Sequence, residues 1–101
     1  MEKKLNNLTE ITLKMIVDAG LINADTALYS DTNPVKTAKI NSDGFIEIDI
    51  NGNRKLFPYP SGAARAIVNL SVNGWKFWKI NLNDELKELS DLRAIYKEQF
   101  T

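Results

Sequence analysis

The segment from Thr26 to Phe57 constrains the fold most, because it changes from helical spacing to short runs broken by turn residues. Four runs, Thr26 to Ser30, Val35 to Ile40, Phe45 to Ile50 and Arg54 to Phe57, are separated by Thr32-Asn33-Pro34, Ser42-Asp43-Gly44 and Asn51-Gly52-Asn53. Asparagine and glycine supply the positive φ of tight turns, so the segment reads as hairpins. The third run is the cleanest, with Ile46, Ile48 and Ile50 on one side and Phe45, Glu47 and Asp49 on the other. One buried and one open sheet face follow, and the sheet is expected to be antiparallel.

Helical patterns flank this segment. From Leu8 to Ala19 the apolar residues Leu8, Ile11, Met15, Ile16 and Ala19 recur at helical spacing, with Gly20 where a left-handed cap is needed. Pro60 suits the first turn of a second helix, since its missing N–H has no partner there in any case, and Ala63, Ala64, Ala66, Ile67 and Leu70 give that helix a small-residue face. Residues Trp75 to Ile80 then read as a fifth strand, and Ser90-Asp91-Leu92-Arg93 opens a last helix capped by Ser90. The expectation is one α+β domain over residues 1–101: an antiparallel sheet of about five strands, an N-terminal helix, a helix before the last strand and a C-terminal helix.

Length and composition agree. A chain of 101 residues, 44% hydrophobic and 26% charged, is large enough to bury a core and unlike sequences that stay unfolded. Its 13 basic and 13 acidic residues give no net charge, which argues against a protein that coats nucleic acid through a bulk excess of cations. Without cysteine there are no disulfides or thiolate metal sites. No apolar run approaches a membrane span or a signal peptide, and the chain reads as cytoplasmic.

Charge is segregated along the sequence. From Ile50 to Asn83 there is no Asp or Glu, yet Arg54, Lys55, Arg65, Lys76 and Lys79 fall inside that window, leaving eight of the 13 basic residues against all 13 acidic ones elsewhere. A polarised surface becomes conceivable. Catalysis has little to work with: histidine and cysteine are absent, and the carboxylate pairs Glu47 with Asp49 and Asp84 with Glu85 read as solvated surface acids. No sign of a cofactor or metal site appears. Asn51-Gly52-Asn53 and Asn73-Gly74 are turn sequences rather than phosphate loops, whereas Pro60-Ser61-Gly62 sets free backbone N–H groups and a hydroxyl at a helix start, where they suit an anion or merely permit close packing.

The most unusual stretch is Asn73-Gly74-Trp75-Lys76-Phe77-Trp78. As a strand it would point Trp75, Phe77 and Lys79 one way and Lys76, Trp78 and Ile80 the other. Either a helix covers the second face or one set of rings is left as a contact surface. Aromatic rings beside Lys76 and Lys79 would suit a polyanion carrying flat bases.

Leu13 to Leu21 ending in Asp18-Ala19-Gly20-Leu21, Leu28-Tyr29-Ser30, Ser42-Asp43-Gly44-Phe45-Ile46, Pro60-Ser61-Gly62-Ala63-Ala64, Val72-Asn73-Gly74-Trp75-Lys76-Phe77-Trp78 and Leu89-Ser90-Asp91-Leu92-Arg93 together resemble the RAMA domain, the restriction-enzyme and adenine-methylase associated module. The resemblance implies a non-catalytic module that contacts DNA or senses its modification state and serves a separate DNA-modifying or DNA-cleaving enzyme. The family pattern marks Ser61, Asn73, Gly74, Trp75, Lys76, Phe77, Trp78 and Arg93, while Tyr59 stands where members usually have a small polar helix cap. The expected DNA-contacting set is Ser61, Arg65, Asn73, Trp75, Lys76 and Lys79. The alternative is a protein-interaction or homodimerisation module using an exposed aromatic patch on the fifth strand.

Overall fold

A computed structural model describes residues 11–100. Thr12 is extended and accepts a hydrogen bond from the Met15 amide, opening α1 (Leu13–Asp18), while the Met15 sulfur accepts from the Thr12 amide in return. The expected helix therefore starts at Leu13 within the described residues, and Leu8 lies outside them. At its end Gly20, at φ +79°, donates to Val17 O, and Leu21 donates to Ile16 O, a Schellman closure that only a left-handed residue permits.

The hairpin segment forms β1 (Ala27–Ser30), β2 (Thr37–Ile40), β3 (Ile46–Ile50) and β4 (Asn53–Phe57). After β4 come α2 (Pro60–Val68), the short helix α3 (Gly74–Phe77), β5 (Trp78–Leu82), β6 (Glu85–Glu88) and α4 (Leu89–Phe100). The sheet is antiparallel throughout, in the order β4-β3-β2-β1-β5-β6. As the alternation predicts, Ile46 and Ile48 are buried and Asp49 is exposed.

The expected antiparallel sheet of about five strands is present with six, because β5 turns back through Asn83 and Asp84, both at positive φ, with Leu82 paired to Glu85. Two corrections concern residues 74–90. Ser90 is not the cap of α4: its hydroxyl donates to Glu88 Oε1, and the Asp91 carboxylate takes the Glu88 amide.

The second correction has larger consequences, since the expected strand from Trp75 begins only at Trp78. The Asn73 side chain accepts the Trp75 amide, and the Lys76 and Phe77 amides both return to Asn73 O, so the chain makes a helical turn. In a strand, adjacent Phe77 and Trp78 would face opposite ways. The turn sends both rings into one core, where they meet edge-to-face at 5.0 Å with Phe77 7% and Trp78 0% exposed.

The helices cover one face of the sheet and leave the other open. Leu28, Ile40, Ile46, Ile80, Leu89 and Leu92 form the core with α1 residues Leu13 and Ile16 and the α2 alanines Ala63 and Ala64. Ala66 and Leu70, assigned to the same small-residue face, are exposed.

Candidate nucleic-acid interface

The junction of α2 and α3 explains much of the sequence signature. The Ser61 hydroxyl accepts the Gly74 amide at 3.0 Å, and the buried Trp78 indole N–H donates to Pro60 O at 3.1 Å. Gly74 is glycine because a Cβ there would stand 2.1 Å from the Pro60 carbonyl carbon and 2.2 Å from the Ser61 nitrogen. Gly62, by contrast, is not needed for close packing, since a Cβ there would meet only the Phe57 ring edge at 3.9 Å. Pro60-Ser61 and Asn73 to Trp78 are thus two halves of one clamp.

That clamp opens into a notch of about 250 Å³ between the start of α1, the Pro58-to-Ser61 corner and α4. Its walls include Leu13, Pro60 and the half-buried ring of Trp75, and Tyr59 and Ser61 stand at its edge. Arg93 reaches over from α4 and lays its guanidinium on the Trp75 ring, 4.4 Å from the centroid. Tyr59 occupies the N-cap position of α2 without making a side-chain cap bond and is 67% exposed.

The cations of the acid-free window do not gather into one patch. Arg54 and Lys55 lie on β4, at the far sheet edge from β6 and four strand spacings, about 19 Å, from Lys79 on β5. Acids from outside the window also reach two of the cations: Arg54 lies 3.7 Å from Glu47, and Lys79 lies 4.0 Å from Asp31 and 3.9 Å from Glu88. The open sheet face follows the same rule, with Lys39 beside Glu47, Arg54 beside Asp49 and Lys79 beside Glu88 in register. Such a face attracts a polyanion weakly.

The six expected contact residues divide accordingly. Ser61 and Trp75 share the notch, and Arg65 lies one turn beyond Ser61 on α2, its guanidinium near the Ser71 hydroxyl. Asn73 and Lys76 line a different groove of about 320 Å³ with Asp31, Leu70 and Phe77. Lys79, on the sheet, donates to Lys76 O and sits among carboxylates. Arg93 belongs beside Trp75, a pairing across 18 positions of sequence that local spacing could not disclose. Of the described residues only Lys14 has a resolved titration shift: hydrogen bonding to Asp18 raises its ammonium above the ordinary lysine value.

The exposed aromatic patch expected on the fifth strand is likewise absent, since Phe77 and Trp78 are core and Arg93 covers one face of Trp75. Exposed large apolar side chains, among them Val35, Leu56, Leu70 and Leu86, are spread over separate elements.

Against this geometry, the profile of the family described as Restriction Enzyme Adenine Methylase Associated, abbreviated RAMA, matches residues 3–101. The chain belongs to the RAMA family. The match takes in essentially the whole sequence, so the clamp between Pro60-Ser61 and Asn73 to Trp78 is a feature of a RAMA domain rather than of an appended segment. The family description places RAMA domains in the setting of restriction enzymes and adenine methylases. Comparison with curated proteins finds no match. No helix among the described residues of this RAMA domain is long and apolar enough to cross a membrane.

Proposed function

We propose that this chain is a non-catalytic DNA-contacting module that works beside a separate restriction or adenine-methylating enzyme, and that it touches DNA at the notch around Trp75 and Arg93. Family membership supports the setting, and the absence of histidine and cysteine from the sequence supports a non-catalytic role. The observation that carries the DNA contact is Arg93: an arginine that forms no ion pair with another described residue sits over an aromatic ring at a concave site. A guanidinium held this way keeps its N–H donors for phosphate while the ring beside it offers a stacking surface.

Lys36, Lys55, Arg65, Lys76 and Arg93 form no ion pair with another described residue. Lys55 lies on the far strand β4 and Lys36 between β1 and β2, so only Arg65, Lys76 and Arg93 belong to the helices around the clamp, and the contact is local rather than a track along the backbone. Titrating a labelled duplex at low salt tests the reading. Binding is expected, and Arg93→Ala should weaken it by about tenfold, the order of one charge-assisted hydrogen-bonded contact. No binding to duplex, or an Arg93→Ala affinity equal to that of the unaltered chain, overturns it. The same titration with adenine-methylated duplex extends the test to modification state: unequal affinities mark a reader, equal ones a plain DNA binder.

A further inference from the structure

We propose that the notch takes one unstacked nucleotide, its base lying between Trp75 and Tyr59 and its phosphate on Arg93; this rests on the DNA-contacting reading above. Three observations point there. The first is size and lining: a half-enclosed space of about 250 Å³ with apolar walls has room for one flat ring system and not for the edge of a duplex. The second is Arg93, a planar cation held over the Trp75 ring at 4.4 Å from its centroid. It marks the ring face as one that holds flat groups, and a short swing would place the guanidinium on the phosphate of an entering nucleotide.

The third is Tyr59. The N-cap position favours a side chain that accepts an amide hydrogen bond, and tyrosine there gives up that stabilisation. It is also 67% exposed, so neither capping nor core packing accounts for it. A locally unfavourable residue beside a pocket is the pattern expected where function overrides stability. Tyr59 and Trp75 both line the notch and together offer two aromatic surfaces to one base. The Ser61 hydroxyl, whose oxygen accepts the Gly74 amide, keeps its own proton to donate to a base edge. The scattered cations fit this mode, because binding one extruded nucleotide needs few phosphate contacts.

The test compares a fully paired duplex with the same duplex carrying one unpaired, bulged base, using the full chain and reading Trp75 fluorescence; Trp78 is buried and serves as background. The bulged duplex should bind about tenfold more tightly, and Tyr59→Ser should abolish that preference. Because serine restores a cap, the same variant should melt at a higher temperature, so lost preference cannot be ascribed to misfolding. Equal affinity for the two duplexes overturns the nucleotide slot while leaving DNA contact standing. A preference that survives Tyr59→Ser overturns the assignment of the base to this notch. No binding to either duplex overturns the slot and the DNA-contacting reading together.

Discussion

Replacing Gly74 by alanine tests the clamp that positions the notch. An added Cβ would meet the Pro60 carbonyl carbon at 2.1 Å, the Ser61 nitrogen at 2.2 Å and Pro60 O at 2.4 Å, all backbone atoms that cannot rotate aside. Relief requires α3 and the first turn of α2 to separate by about an ångström. Forced insertion into a packed site costs about 1 to 3 kcal/mol. The movement also strains two hydrogen bonds, Gly74 N–H to Ser61 Oγ and Trp78 Nε1–H to the buried Pro60 O, and loss of such bonds costs about 1 to 3 kcal/mol. Alanine's higher helix propensity returns up to about 1 kcal/mol. The net expectation is a loss of about 3 kcal/mol, a large share of a small domain's stability, with a fall in Tm of about 10 to 20 °C. Urea unfolding followed by tryptophan fluorescence and by circular dichroism reads it. Gly62→Ala is the control: its Cβ meets only the Phe57 ring edge at 3.9 Å, so it should stabilise α2 by up to about 1 kcal/mol. If Gly74→Ala costs less than about 1 kcal/mol, or the two glycines behave alike, the clamp argument is wrong.

Three further outcomes are expected. Trp78→Phe leaves Pro60 O without its buried donor and a void in the core, and should lower the urea-unfolding free energy by about 2 to 4 kcal/mol. Tyr59→Ser should raise stability by about 0.5 to 1 kcal/mol, measurable as a higher melting temperature; a fall would mean that the tyrosine has a packing role. In Asp18→Asn the Lys14 ammonium, followed by NMR, should titrate lower than in the unaltered chain, because the hydrogen bond that raises it is lost. Because the raised value stabilises the fold fully below the ordinary pKa and is lost as pH rises through the folded one, the variant should show a flatter alkaline stability limb.

The first four strands were legible because turn residues and alternation coincide there, most clearly in Ile46, Ile48 and Ile50 against Glu47 and Asp49. β6 escaped because Glu85-Leu86-Lys87-Glu88 has weak strand propensity and its turn, Asn83-Asp84, reaches positive φ without glycine. The short helix α3 was hidden by its aromatic residues, which favour strands when taken singly. Asn73 decides otherwise by capping Trp75, a signal visible in the sequence but read there only as a turn. The cationic window failed for a different reason: segregation along a chain is not segregation in space. Pairing of β3 with β4 and of β5 with β1 and β6 brings Glu47, Asp31 and Glu88 to the window's cations. Trp75 stood out by type, whereas its contact with Arg93 depends on how α4 docks.

The central claim is that DNA contact is concentrated at the Trp75–Arg93 notch instead of spread over a basic surface. The salt dependence of duplex affinity tests it most directly, since each neutralised phosphate contributes about −0.9 to the slope of log affinity against log salt. With Arg65, Lys76 and Arg93 as the contacting cations, the slope should be no steeper than about −3, and Arg93→Ala should make it shallower by about one. A slope steeper than about −5, or one that Arg93→Ala leaves unchanged, contradicts the account.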